Sequence, residues 1–444
     1  MLKPNSIYTA LLIVAIMCVV VFFTGRGLAS SRKKAIVASV VSFLILPFLG
    51  VTVIGVMANR NLGYASDWAS VYHMIQGGGV KTDVKPVEQK IPKYTGKPKP
   101  IAKPSGEEWK ITTEPSTYGT VLTRFKGPKS GINQRVWIWV PKDYNPEKTY
   151  KAMVMLQGYP SHTEKIPRHL DFDHAIPKIA PDTIVAVPDL AIDSRPPNCV
   201  DFEGQPAIGT YITQDVVGML RANYSVSSNR EDWVIAGASY GGWCAPVLGL
   251  QHPQTFASII SFSGFDKPDV GLAKTTPELK KQFTVTNMMR KSTWPQAIFI
   301  TGTKSDPAST SFAKEAATIK KPNIHMNFKI DEKGAHTWDV WGRQFPDALK
   351  WWSSGRAAHI DQVEQEYSFL TTPTFVIICF ALYGLGVGVV VWRGARMKTW
   401  ARYLSVIGVV VWGIIAILFL ANLSTYTVTS FSNLYGFFNL FKPL

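Results

Sequence analysis

The chain has 444 residues, 46% of them hydrophobic, with 47 Lys and Arg against 31 Asp and Glu and a net charge of +16. Every acid lies between positions 59 and 368, whereas residues 1–58 and 369–444 each carry five basic side chains and no acid. Positive charge set beside apolar runs excludes a disordered chain, a simple soluble enzyme and most nucleic-acid binders, which would carry their charge on the folded polar part.

Residues 6–25 and 35–58 are uncharged apolar runs, each close to the ~20 residues with which a helix crosses a ~30 Å hydrocarbon core. Ala29-Ser30-Ser31 after the first run would also suit a cleaved signal peptide. The second run follows at once, however, across a link that carries Arg26, Arg32, Lys33 and Lys34. Residues 1–58 therefore read as two transmembrane helices joined by a cytoplasmic basic loop. Residues 59–116 follow as an extracytoplasmic segment. Within it, 81–105 holds seven Lys and five Pro and almost no apolar bulk. Such a stretch is expected to be an extended, polyproline-like spacer. Its charge suits anionic lipid headgroups or an anionic envelope polymer, and equally a plain solvated tether.

From 117 to 355 the pattern changes to short β-rich runs alternating with amphipathic stretches. Strands are predicted at 119–126, 134–140, 151–156, 183–188, 232–237, 257–263, 296–302 and 323–330. Helices are predicted at 212–224, 241–251, 309–320 and 342–353. A hairpin followed by strand–helix alternation predicts an α/β domain whose mostly parallel sheet is covered on both faces.

Residues 356–444 add two more uncharged runs, 369–392 and 403–423, linked by Arg393, Arg396, Lys398 and Arg402. Both basic links belong in the cytoplasm, so 59–368 and both termini lie outside. The expectation is a multi-pass protein of the cell membrane, with the lipid bilayer as its partner and the folded domain extracytoplasmic. No acid lies in any apolar run, so a transporter would lack a carboxylate relay. Of the four cysteines, Cys18 and Cys379 fall in apolar runs, and Cys199 and Cys244 in the outside domain. There a disulfide is permitted; two separately packed thiols are the alternative.

Gly237-Ala238-Ser239-Tyr240-Gly241 fits G-x-S-x-G, between an apolar strand and a helical stretch. A sharp strand-to-helix turn needs residues without bulk on both flanks, and it lifts the Ser239 hydroxyl above the sheet edge. A nucleophilic serine needs a base, and the base an orienting acid. His336 lies in a loop after the last predicted strand, whereas His252 and His325 fall within elements and read as structural. Asp306 follows the penultimate strand; it could also be a plain turn aspartate before Pro307. Two backbone amides should face the developing oxyanion. Tyr240 would give one and Tyr159 the other, with Gly158 the alternative donor; Pro160 has no N–H.

Three further features are weighed against plainer roles. His162, His169, Asp171, Asp173 and His174 are dense enough for a metal but match no zinc spacing, and read as a substrate-side loop with solvated charges. Trp338 beside His336 is a candidate pocket wall. Gly77-Gly78-Gly79 opens no strand–helix unit, and no cofactor or metal is expected.

The segments GASYGGWCAPVLGLQHPQTFASIISFSG, MLQGYP and GAHTWDVWGRQFPDALKWW resemble the putative-esterase family, α/β-hydrolases that include esterase D-like hydrolases and actinobacterial mycolyltransferases. The resemblance covers roughly 117–355 and is carried by the elbow and by His336, Trp338 and Trp341. It implies Ser239 as nucleophile, His336 as base and Asp306 as acid, acting on an acyl ester. The chain departs from secreted mycolyltransferases in its membrane runs and in Tyr240, where many have Met. The expected function is a membrane-anchored extracytoplasmic serine esterase or acyltransferase working on an acyl ester or glycolipid of the envelope. The alternative is an inactive hydrolase fold serving envelope assembly.

Overall fold

The structure, a computed structural model, describes residues 2–30, 32–62, 68, 71–72, 85–159, 163–190, 198–268, 272–332, 334, 336–355 and 369–425. It divides into two units, Met1–Val71 with Tyr367–Leu444, and Tyr72–Glu366.

The first unit contains α1 (Ile7–Leu28) and α2 (Lys33–Leu62) from the N-terminal side. The C-terminal side supplies two further long helices, Pro373–Arg393 and Thr399–Thr425. All four are long and apolar enough to cross a membrane. Ser6 caps α1 by accepting from the Tyr8 amide, and Thr372, ahead of Pro373, accepts from Phe375. Small residues set the close approaches. A Cβ on Gly25 would lie 2.2 Å from the Tyr403 ring, and one on Gly413 would lie 2.7 Å from Pro47. Arg402, counted above among the cytoplasmic charges, is buried: its Nε donates to Gly394 O at 2.6 Å and its Nη2 to Met397 O at 2.9 Å, closing the turn between the last two helices.

The second unit is built on a nine-stranded sheet: β1 (Glu114–Pro115), β2 (Thr120–Lys126), β3 (Asn133–Trp139), β4 (Lys151–Leu156), β5 (Thr183–Pro188), β6 (Trp233–Ala238), β7 (Ser258–Phe262), β8 (Gln296–Thr303) and β9 (Ile324–Asp331). Its order is β1-β2-β3-β5-β4-β6-β7-β8-β9. β2 and β3 form the expected hairpin, β3 meets β5 antiparallel, and from β5 to β9 all pairs are parallel. This is the α/β-hydrolase fold, with β1 an added edge.

Alternation along the strands divides the core between the sheet's two faces. Val154, Ile235, Ile259 and Ile298 face one side and pack with the helical stretch 208–223, Tyr240–Gln251, Val285–Lys291 and Pro307–Ala317. Met153, Val185, Val234, Ile260 and Phe299 face the other and pack with Phe172–Ile179 and Trp338–Ser353. In chain order these helices are α3 (Phe172–Ile179), α4 (208–223), α5 (Tyr240–Gln251), α6 (Val285–Lys291), α7 (Pro307–Ala317) and α8 (Trp338–Ser353), leaving α9 (Pro373–Arg393) and α10 (Thr399–Thr425) in the first unit. From β4 the chain crosses to β5 on one side, while β6 lies on the other. The crevice between the carboxyl ends of β4 and β6 is therefore where such a sheet takes a ligand.

The Lys/Pro stretch differs from the free spacer its composition suggests. Residues 85–105 are extended, but Val87 N donates to Asp201 O (2.9 Å), Glu203 N to Lys85 O (2.9 Å) and Ile101 N to Ser228 O (2.7 Å). Trp294 Nε1 donates to Pro92 O at 2.7 Å, and its indole packs on Tyr94. An extended chain keeps its carbonyls free to accept, so a composition that forbids folding still allows docking as a strap. Residues 81–84 and the tail beyond 425 lie outside the described residues.

Candidate active site

The turn after β6 puts Ser239 at φ 56°, ψ −117°, a backbone conformation that a non-glycine residue holds only against roughly 1–3 kcal/mol of strain. Its neighbours explain how the turn closes. A Cβ on Gly237 would lie 2.2 Å from Gly241 O, and one on Gly241 would lie 2.4 Å from Leu156 O. The Ser239 amide still donates to Phe262 O at 2.9 Å, so the sheet holds the strained residue from beneath.

Two loops complete the arrangement. His336 Nε2 lies 2.8 Å from Ser239 Oγ, and its Nδ1 lies 2.8 Å from Asp306 Oδ2. A carboxylate only accepts, so Nδ1 carries the proton and Nε2 is left to accept from the serine hydroxyl. Asp306 uses its two carboxylate oxygens separately. It caps α7 ahead of Pro307, with Oδ1 accepting from Ser309 N at 3.5 Å, and its other oxygen holds the imidazole. The carboxylate is buried, while the imidazole keeps about a quarter of its side chain exposed.

The residue that ties the two loops together was not singled out from the sequence. Gln344 of α8 is buried; its Oε1 accepts from Thr301 Oγ1 (2.6 Å), and its Nε2 donates to Gly302 O (2.8 Å) and Asp331 Oδ2 (3.0 Å). It thus clamps the carboxyl ends of β8 and β9, from which Asp306 and His336 hang. Thr303 Oγ1 adds a bond to Gly334 O at 3.0 Å, at a position with φ 151° that suits glycine. A buried glutamine in an amphipathic helix carries no local signal of this; only the tertiary pairing reveals it.

The loop after β4 passes beside the serine. A Cβ on Gly158 would lie 3.2 Å from Ser239 Cβ and 3.8 Å from Oγ, and Tyr159 follows half-buried, its phenol pushed up by burial. Tyr240 opens α5 with its ring buried against Trp243 and Phe265. Pro160 lies outside the described residues.

The aromatic ring in contact with His336 is Trp341, edge-to-face at 5.1 Å, while Trp338 is one ring further out. Trp338 meets Trp341 at 4.8 Å and stacks on His169 at 5.3 Å with 13° between the planes. The dense His/Asp segment is thereby dispersed, and it is helical at α3 where a loop was expected. Asp173 accepts from Trp139 Nε1 (2.8 Å), and exposed His174 pairs with Asp171 (2.6 Å), which raises its pKa. His162 is outside the described residues. No three His, Cys, Asp or Glu side chains gather as a metal site among the described residues. His252 ends up buried at the end of α5, its Nε2 3.3 Å from Thr213 Oγ1, and His325 is exposed on β9.

Cys199 and Cys244 form a disulfide with Cα atoms 5.8 Å apart. It ties the loop before α4 to the helix that starts at the serine. Next to it, buried Asp201 accepts from Gly209 N, Thr210 N and Thr210 Oγ1 at 2.6–3.0 Å, and burial raises its pKa.

An uncharacterized protein of Corynebacterium glutamicum is 27% identical over 157 residues, 33% of this chain and 36% of that protein. The acetyl esterase of Caldicellulosiruptor saccharolyticus is 22% identical over 177 residues, 34% of this chain and 66% of its own. The alignments thus span under two thirds of either relative. Among solved structures, an S-formylglutathione hydrolase from Agrobacterium tumefaciens superposes with TM-score 0.45 at 15% identity, covering 56% of this chain and 99% of its own. The feruloyl esterase module from Clostridium thermocellum gives 0.41 at 15%, covering 60% and 99%. The family described as Putative esterase matches residues 130–352, which hold the elbow, both loops and the clamp between them, and the chain belongs to that putative-esterase family.

Proposed function

We propose that the protein is a membrane-anchored serine esterase or acyltransferase whose nucleophile, base and acid are Ser239, His336 and Asp306. The observation that carries this reading is the hydrogen-bond series of 2.8 Å and 2.8 Å from the strained elbow serine to a buried carboxylate. Ser239 Oγ attacks the ester carbonyl while His336 Nε2 takes its proton, and Asp306 holds the imidazolium that forms. The developing oxyanion is met by the amide of Tyr240 and by that of Tyr159 or Gly158. Collapse breaks the C–O bond of the ester, and the leaving alkoxide takes the proton from Nε2. Water or a sugar hydroxyl, deprotonated by the same nitrogen, then attacks the acyl-enzyme; collapse breaks the acyl–Oγ bond, and Nε2 returns the proton to Ser239.

The substrate class is an acyl ester, of which a glycolipid of the cell envelope is the form that suits an enzyme held by four apolar helices. The basic links assign those helices' short loops to the cytoplasm and the hydrolase unit to the outside. A disulfide beside the serine supports that compartment. The strap 85–105 presents its lysines to solvent and suits an anionic envelope polymer. Trp338 is assigned to the pocket wall. Acetyl esterase activity, named for one relative, supports ester chemistry. Labelling with a fluorophosphonate tests the reading: wild-type protein should take one label on Ser239, and Ser239→Ala none. Labelling that persists in the variant would overturn it.

A further inference from the structure

The four-helix unit contains an apolar cleft that the chemistry above does not use. Its volume is about 650 Å³, whereas an apolar cavity of roughly 150 Å³ already takes up benzene. Val14 and Phe22 of α1 form one wall, Tyr403 and Val411 of α10 the other, and Gly50 of α2 the floor. That floor has to be glycine: Ile414 of α10 packs directly on it, and a Cβ there would lie 2.2 Å from Ile414 Cδ1. Val14, Phe22 and Val411 are 41%, 47% and 48% exposed, so the cleft opens sideways between α1 and α10.

Its length and its charged end identify the occupant. From Tyr403 to Ile414 a helix rises ~17 Å, about half of a ~30 Å hydrocarbon core and so the depth of one leaflet. At one end Phe22 stacks on Tyr403 (6.5 Å, 9°), and the Arg26 guanidinium lies over the Phe22 ring at 5.6 Å. The links at that end, 26–34 and 393–402, carry eight basic residues and no acid, and all but the buried Arg402 are exposed. An apolar slot one leaflet deep beneath a cationic rim matches a lipid with an anionic head and an apolar tail. Resting on the reading that α1, α2, α9 and α10 span a membrane, we propose that this cleft holds one acyl chain of an anionic glycerophospholipid. The phosphate sits at the rim beside Arg26.

The full-length protein is placed in phosphatidylcholine vesicles with a trace of phosphatidylglycerol carrying a photoreactive group on its acyl chain, and the adducts are mapped. Adducts are expected within 14–22 and 403–414. They should exceed those from a phosphatidylcholine probe of the same chain by about fivefold, the effect of one cationic contact at the membrane surface. Val14→Trp and Val411→Trp fill the cleft from lipid-facing positions and should abolish the adducts. Leu44→Trp, 62% exposed and away from the cleft, should keep them. Arg26→Gln should bring the two probes level. Adducts spread over all lipid-facing surfaces, adducts unchanged by the two cleft variants, or a cross-linked second copy in the cleft would overturn the assignment. Protein that floats with vesicles but takes no adduct refutes the cleft alone; protein that does not float refutes the membrane reading with it.

Discussion

Ser239, Asp306 and Gln344 are each held by a feature with its own structural cost, and that makes their substitution informative. Ser239 sits at positive φ, so Ser239→Ala keeps the strain and removes only the hydroxyl; turnover of a short acyl ester should fall to under about 0.1%, with melting temperature unchanged. Asp306→Asn still caps α7 but favours the wrong imidazole tautomer. It should cost roughly 10³–10⁴ in kcat, and a loss under about threefold would pass the acid role to another carboxylate. Gln344→Ala leaves the Thr301 hydroxyl and the Gly302 carbonyl without a buried partner. It should destabilise by roughly 2–4 kcal/mol and lower kcat more than it raises KM, because the ends of β8 and β9 then move independently. Gln344→Glu keeps the acceptor for Thr301 but turns a carboxylate oxygen toward Gly302 O and Asp331 Oδ2 in place of the donor, so it should not recover the kcat. A Gln344→Ala variant with full kcat would show that Gln344 does not position the site.

At the scale of elements, burial of His252 under α5 gives the protein a stability term that depends on pH. Burial pushes its pKa down to about 4, below the ordinary 6.5. The unfolded chain binds the proton below about pH 6.5 while the folded chain refuses it until about pH 4. Stability is therefore full above pH 6.5 and lost as pH falls through that window, on the order of 3 kcal/mol in all. Urea melts of His252→Gln between pH 7 and pH 4 should show a flatter slope than wild type; equal slopes would refute the assignment. The elements were legible where periodicity alone decides them. All eight predicted strands form, within a residue or two at each end, because a sheet covered on both faces demands continuous apolar runs. The elbow, His336 and Asp306 were legible because the turn demands glycines and the fold demands a chain order. The helix α3 was not, since Pro167 and Pro177 and a dense run of charge mask its buried Phe172 and Ile176. The strap 85–105 and the Gln344 clamp were not either, because both depend on partners far along the chain.

At the scale of the whole molecule, the disulfide and the basic links bear independently on the proposed sidedness. Cys199–Cys244 closes 45 residues, for which the chain-entropy model gives about 4 kcal/mol, less any native strain. Cys244→Ser should lower the melting temperature by roughly 5–10 °C and also lower turnover, since the bond joins the loop before α4 to the helix that begins at Ser239. Free thiols at both positions in protein taken from its native membrane would mean the domain never meets an oxidising compartment. The links test the same point without the disulfide. With Cys18 and Cys379 replaced by serine, a cysteine at Lys97, exposed on the strap, should react with an impermeant thiol reagent in intact cells. A cysteine at Ser30, between α1 and α2, should react only after lysis. The opposite pattern would invert the topology, place Ser239 in the cytoplasm, and remove the envelope ester as its substrate while leaving the hydrolase chemistry intact.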